Sequence, residues 1–327
     1  RGLGDVYKRQ IDTSAGDTST DRVAVIAKRL IKSCIPVSAA AIVVNLSSFI
    51  DLITIPRCLN FALSSDPGYF TACFSDIIKA QGGAVRLANF MYGSYTGLSW
   101  TMFMLIPSFT AMFGRSALPQ IAGAWTLGNR KEFERKVTVV LRSNFVIGFP
   151  LYLGLSAMSR QILEFLFSGR QQEVTVSATS LFILGLGGVF LTLSSTFISI
   201  FQVIGRSDLP VKLMLPGCAV KLIFNVFTIS VPAININGAA VSTVIMYAAV
   251  ALGGYFALEN VTGIDFHIIR RMAVPLSAGI VCAVVSRIVY GFVWESVNAV
   301  TALFLPIASG GAVYIILLII FNEINLK

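Results

Sequence analysis

Residues 174–201 read VTVSATSLFILGLGGVFLTLSSTFISIF, 28 positions without one charged side chain. A bilayer core about 30 Å thick is crossed by roughly 20 apolar residues in a helix. The run is too long for a strand and lacks the alternation of one. A helix also satisfies its own backbone hydrogen bonds, which lipid requires. Seven more runs of this kind flank it, at residues 35–55, 87–113, 137–158, 211–231, 236–258, 272–293 and 297–321. Across the chain 55% of residues are hydrophobic and 13% are charged, and mean hydropathy is +0.79. The expected fold is all-α: a polytopic membrane helical bundle of about eight transmembrane helices, with membrane lipid as its solvent.

The net charge of +9 does not call for nucleic acid. Assigned to alternate sides, the loops carry 14 Lys and Arg on the side of Arg22, Lys28, Arg130, Arg206 and Arg270, and 5 on the other, Arg57, Lys79, Arg86, Arg160 and Arg170. The positive-inside rule then puts both ends of the chain in the cytoplasm. Two connections exceed simple turns. Residues 57–86 form a long outer loop able to hold an interfacial helix, in which Cys58 and Cys73 could pair. In residues 118–136, Asn129 is placed to cap a short helix, KEFERK. Gly185, Gly187 and Gly188 are expected to break the fourth span, and Gly253 and Gly254 the sixth; Pro36, Pro107, Pro150, Pro216, Pro275 and Pro306 are expected to kink their helices or loosen their ends.

Polar residues inside the runs fall into stripes: Ser38, Asn45, Ser48 and Asp51; Tyr92, Tyr95, Thr96 and Ser99; Thr192, Ser195, Thr196, Ser199 and Gln202; Lys221 and Asn225. Such stripes either glue helices together or line a hydrated cavity. Lys221 lies about 15 Å into its run, where a cation costs on the order of 3 kcal/mol. It needs a partner, water or an anionic ligand. Asp51 is the carboxylate inside a run, and a local pair with an arginine is its plainest reading. The single histidine, His267, falls in a polar loop beside arginines. No Ser/His/Asp set, paired carboxylates, zinc motif or phosphate loop can be assembled. No covalent chemistry is expected, and no cofactor or metal.

Four segments, in order, carry a family resemblance: KRLIKSCIPVSAAAIVVNLSSFIDLITIPRCL (28–59), MYGSYTGLSWTMFMLIPSFTAMFGRSALPQIAGAWTLGNRKEFERKV (91–137), FQVIGRSDLPVKLMLPGCAVKLIFNVFTI (201–229) and ININGAAVSTVIMYAA (234–249). Together they resemble the C-terminal part of stage V sporulation protein B-like polysaccharide biosynthesis proteins. That family lies in the multidrug/oligosaccharidyl-lipid/polysaccharide exporter superfamily, which includes the lipid II flippases. The chain departs from the pattern at AGAW (122–125), where relatives carry an acidic residue, and at Arg115.

The resemblance implies two lobes around a central cavity, alternating access and a lipid-linked polyprenyl pyrophosphate saccharide as cargo, with a coupling ion. Residues 31–265 would be a six-span C-terminal lobe and 266–327 an extra helix pair. Residues 11–30 would be a cytoplasmic linker. Residues 1–10, RGLGDVYKRQ, resemble a translated sequencing-adapter scar, and the N-terminal lobe would be missing. Carried over by position, the expected substrate-binding residues are Lys221, Asn225, Gln202, Asp51, Arg57 and Arg115. Two other readings are a cation-coupled drug antiporter, which would use Asp51, and a non-transporting scaffold for envelope synthesis.

Overall fold

The computed structural model describes the backbone of residues 23–83, 86–294 and 298–321, and side chains over these ranges except 23–26, 28–44 and 111–116. All regular structure among the described residues is helical: α1 Val23–Ser65, α2 Pro67–Ala80, α3 Leu87–Ser94, α4 Thr101–Thr126, α5 Arg130–Ala157, α6 Ser159–Leu166, α7 Gln171–Val203, α8 Asp208–Ile229, α9 Asn237–Thr262, α10 Ile268–Val293 and α11 Ala299–Ile320. A π-helical segment, Tyr95–Trp100, joins α3 to α4. Seven helices are long and apolar enough to cross a membrane among the described residues, α1 from Asn45 onward, α5 and α7 to α11. The second predicted run, 87–113, is helical throughout but is built as α3, the π segment and the start of α4.

The 174–201 run becomes α7, the centre of the bundle, with 67% of its most apolar window buried against 28% for α10 and for α11. Around it pack α9, α5, α4, α6, α3 and the π segment. The expected break at Gly185, Gly187 and Gly188 is absent: α7 is continuous. These glycines instead admit neighbours, Ser156 at Gly185, Val244 at Gly187 and the Tyr152 ring at Gly188, where a methyl group would overlap them. In the same way Gly254 of the unbroken α9 admits Phe197. In lipid the driving force for helix association is close packing, so small residues mark contacts rather than ends. The prolines likewise sit inside continuous helices.

Two expected loops are largely helix. α1 passes residue 57 and runs to Ser65; its 43 residues make about 65 Å at 1.5 Å per residue. α2 follows at once, capped by Asp66, whose side chain accepts from Tyr69 N at 3.0 Å. Cys58 is buried on α1 and Cys73 exposed on α2, and both are unbridged thiols. On the other side, α4 extends to Thr126, and Asn129 does cap KEFERK, accepting from Glu132 N at 3.2 Å. That segment is the first part of the 28-residue α5 rather than a separate short helix.

Sequence neighbours are not always spatial neighbours. α9 packs between α7 and α8, and α8 packs chiefly on α9 and on α1. α10 lies on α5 and carries α11, whose Tyr314 hydroxyl donates to Val146 O of α5 at 2.7 Å. The α1–α8 contact, between segments some 170 residues apart, is the one that assembles the polar centre.

Candidate functional site: a buried ion pair between α1, α8 and α9

α8 turns its apolar side chains outward. Leu215, Leu222, Ile223, Phe224, Val226 and Phe227 are exposed, while Met214, Gly217, Cys218, Lys221 and Asn225 are buried. This inverts the soluble pattern, as expected when lipid covers the outer face. Lys221 and Asn225 are one turn apart and share a face. Both have zero exposed surface.

The face meets α1 at Ser47, Asp51 and Thr54, which are spaced four and three residues apart and so lie on one side of that helix. Lys221 Nζ donates to Asp51 Oδ2 at 2.6 Å and to Ser47 Oγ at 2.8 Å, with Ser47 O at 3.5 Å. Asn225 Nδ2 donates to Asp51 Oδ1 at 3.0 Å and to Thr54 Oγ1 at 2.9 Å. An ionised carboxylate only accepts, which fixes the amide orientation. Asn225 Oδ1 accepts from Ser242 Oγ of α9. Thr54 Oγ1 passes its own hydrogen to Ile50 O at 2.6 Å. On the remaining side the Trp100 ring, delivered by the π segment, has its centroid 5.7 Å from Lys221 Nζ, within cation–π range.

Charge and hydrogen bonds are thus satisfied internally. Asp51 and Lys221 are the buried charged side chains among the described residues. A short ion pair with its other lone pairs filled is the arrangement that offsets desolvation. The expected arginine partner of Asp51 is therefore replaced by Lys221. The reason is geometric: Arg57, six residues on, is exposed on another side of α1.

Of the six expected binding residues, three come together: Lys221, Asn225 and Asp51. Gln202 is exposed in the last turn of α7 and Arg57 on α1, and neither joins the cluster. The side chain of Arg115 lies outside the described residues. Ser47, Thr54, Trp100 and Ser242 were not singled out in the sequence. The signal for the first two was available, since both share the face of Asp51.

The other stripes supply a few helix–helix links, and most of their hydroxyls bond back to their own helix. Thr196 of α7 accepts from Asn144 Nδ2 of α5 at 2.8 Å, Ser194 donates to Tyr247 O at 2.9 Å, and Ser99 donates to Ser177 O at 2.8 Å. Ser195 and Ser199 bond back to their own helix. No group of three or more His, Cys, Asp or Glu able to hold a metal occurs among the described residues.

Membrane-length helices that turn apolar side chains outward and enclose an ion pair define a multi-pass membrane protein. The profile of the family described as lipid II flippase MurJ matches residues 84–309, well over half of the chain, and the chain belongs to that family. It is 23% identical over 243 residues to the lipid II flippase MurJ of Bacillus subtilis, an alignment covering 72% of this chain and 44% of that protein. It is also 28% identical over 153 residues to the uncharacterized membrane protein MJ1068 of Methanocaldococcus jannaschii, covering 47% of this chain and 29% of that one. The chain thus matches less than half the length of either relative. These matches carry the flippase side of the resemblance, while the sporulation side rests on the four sequence segments.

Proposed function

We propose that this chain is part of a flippase that moves a lipid-linked peptidoglycan or oligosaccharide precursor across the plasma membrane by alternating access. The observation that carries the reading is the family match over residues 84–309. The inward-facing polar centre between α1, α8 and α9 supports it, because a charged headgroup needs a polar path while its tail stays in lipid. No covalent step is required. Arg57 and Gln202, both exposed, would meet the pyrophosphate and sugars at opposite sides of the membrane, at different stages of the transfer. Lys221 and Asn225 would reach the headgroup only in a state where α1 has moved off α8, and Arg115 is a further cation on this side of the reading. In the two-lobed arrangement that the resemblance implies, a second lobe would supply the opposite wall.

The antiporter reading loses support, since Asp51, the buried carboxylate it would use, is taken by Lys221. The intact gene, expressed in a bacterium depleted of its own precursor flippase, should restore growth and outward movement of labelled precursor. Accumulation of precursor on the inner leaflet despite normal membrane insertion would overturn the proposal and favour a scaffold.

A further inference from the structure

At the end of the bundle poor in lysine and arginine, a cavity of about 290 Å³ opens where α5, α6, α7 and α10 come together. Gln161 of α6 and Thr175 and Thr179 of α7 line it, with two arginines from separate helices, Arg160 of α6 and Arg287 of α10. Two guanidinium groups on one cavity repel each other unless an anion lies between them. Glu164 accepts from Arg160 Nε at 2.7 Å, which leaves the two terminal nitrogens of that guanidinium open. Arg287 makes no hydrogen bond or ion pair among the described residues. Two cations and one carboxylate leave a single positive charge, which one singly charged anion balances.

Depth decides which anion. Arg287 lies six residues before the end of α10 at Val293, about 9 Å along the helix. The interfacial layer of a bilayer is roughly 5–8 Å thick on each side, so this guanidinium stands where acyl chains meet headgroups. Val284, one turn earlier, its neighbour Ile288, and Phe182 on the cavity wall are exposed apolar side chains. An anion reaching Arg287 therefore arrives in the lipid layer. A phosphodiester carries the single negative charge, and its paired oxygens match a guanidinium fork.

We infer that this cavity is a headgroup site for an anionic phospholipid, held by Arg160 and Arg287, with its chains lying along Phe182, Val284 and Ile288. α10 packs on α5 and α11 and has little direct contact with α6 or α7. The bound phosphate thus ties α10 to α6 and α7 at this corner. The inference rests on the cavity and its arginines and does not depend on the flippase reading.

The test is native mass spectrometry of the detergent-purified chain titrated with phosphatidylglycerol, and in parallel with diacylglycerol, inorganic phosphate and a polyprenyl phosphate. Wild type is expected to retain one phosphatidylglycerol more tightly than those that follow, and to show no such step with diacylglycerol. Arg160→Gln and Arg287→Gln are each expected to weaken that first step on the order of tenfold, the worth of one charge-assisted hydrogen bond. Arg86→Gln, an exposed arginine outside the cavity, is expected to leave it unchanged. Equal first steps in wild type and both cavity variants would overturn the inference, as would a first step for diacylglycerol as tight as that for phosphatidylglycerol. Displacement of the lipid by equimolar inorganic phosphate would make this a free-anion site, and displacement by equimolar polyprenyl phosphate a cargo site; either result refutes a resident phospholipid. Were a glutamine variant not to fold, Arg160→Lys/Arg287→Lys keeps both charges and takes its place: a weakened first step supports the guanidinium fork, and an unchanged one refutes it. Flipping is not measured, so failure here leaves the proposed function untouched, and the reverse also holds.

Discussion

Removing one member of the Lys221–Asp51 pair strands the other charge where water does not reach. Asp51→Asn should therefore lower stability by about 3–5 kcal/mol, the usual cost of breaking a buried pair from one side. The paired replacement Asp51→Leu/Lys221→Met should lose much less, since apolar groups of similar volume leave no charge behind. Unfolding midpoints of Asp51→Leu, Lys221→Met and the double variant give the coupling, and additive losses would show that the pair is not a unit. Packing is as exacting at Gly188, where a methyl group would enter the Tyr152 ring. Gly188→Ala should cost about 1–3 kcal/mol as an overpacked contact. Gly154→Ala, with open space around its Cα, should be neutral or slightly stabilising by the same measurement, because alanine favours a helix. The sequence announced Lys221 and Asp51 as costly residues but could not pair them. They are 170 positions apart, and nothing local to either specifies the other.

At the scale of the element, helix existence was legible and helix ends were not. Pro56 and Arg57 end the apolar run at residue 55, yet the helix carries on through them to Ser65, and its membrane-length part is Asn45–Ser65. Asn129 was readable because capping is local chemistry: an oxygen three residues before an unpaired amide. Asn129→Ala should lower stability by about 1 kcal/mol through loosening of the first turn of α5. Hydrogen exchange at Glu132 and Phe133, whose amides bond to the Asn129 side chain and carbonyl, should speed up there and nowhere in α7. The glycines of α7 were misread as breaks. A glycine's effect depends on what approaches it, and Tyr152 and Val244 arrive from other helices.

At the scale of the whole molecule, orientation rests on the distribution of lysine and arginine. Cys73 is exposed on α2, on the side of the membrane poor in these cations. In a Cys34→Ser background, a membrane-impermeant maleimide should label Cys73 in intact cells, and labelling only after lysis would invert the assignment. Buried Cys58, Cys218 and Cys282 should react far more slowly in the folded protein. The sequence by itself determined that this is an all-helical membrane protein and which residues are too polar to face lipid. Those facts depend on transfer between water and hydrocarbon, which each segment experiences separately. Only the tertiary structure decided that α8 leaves α7 to lie beside α1, that Lys221 answers Asp51, and that Trp100 seals them. These are contacts between distant segments, selected by the shape and charge of both partners at once, and no single segment encodes its neighbour.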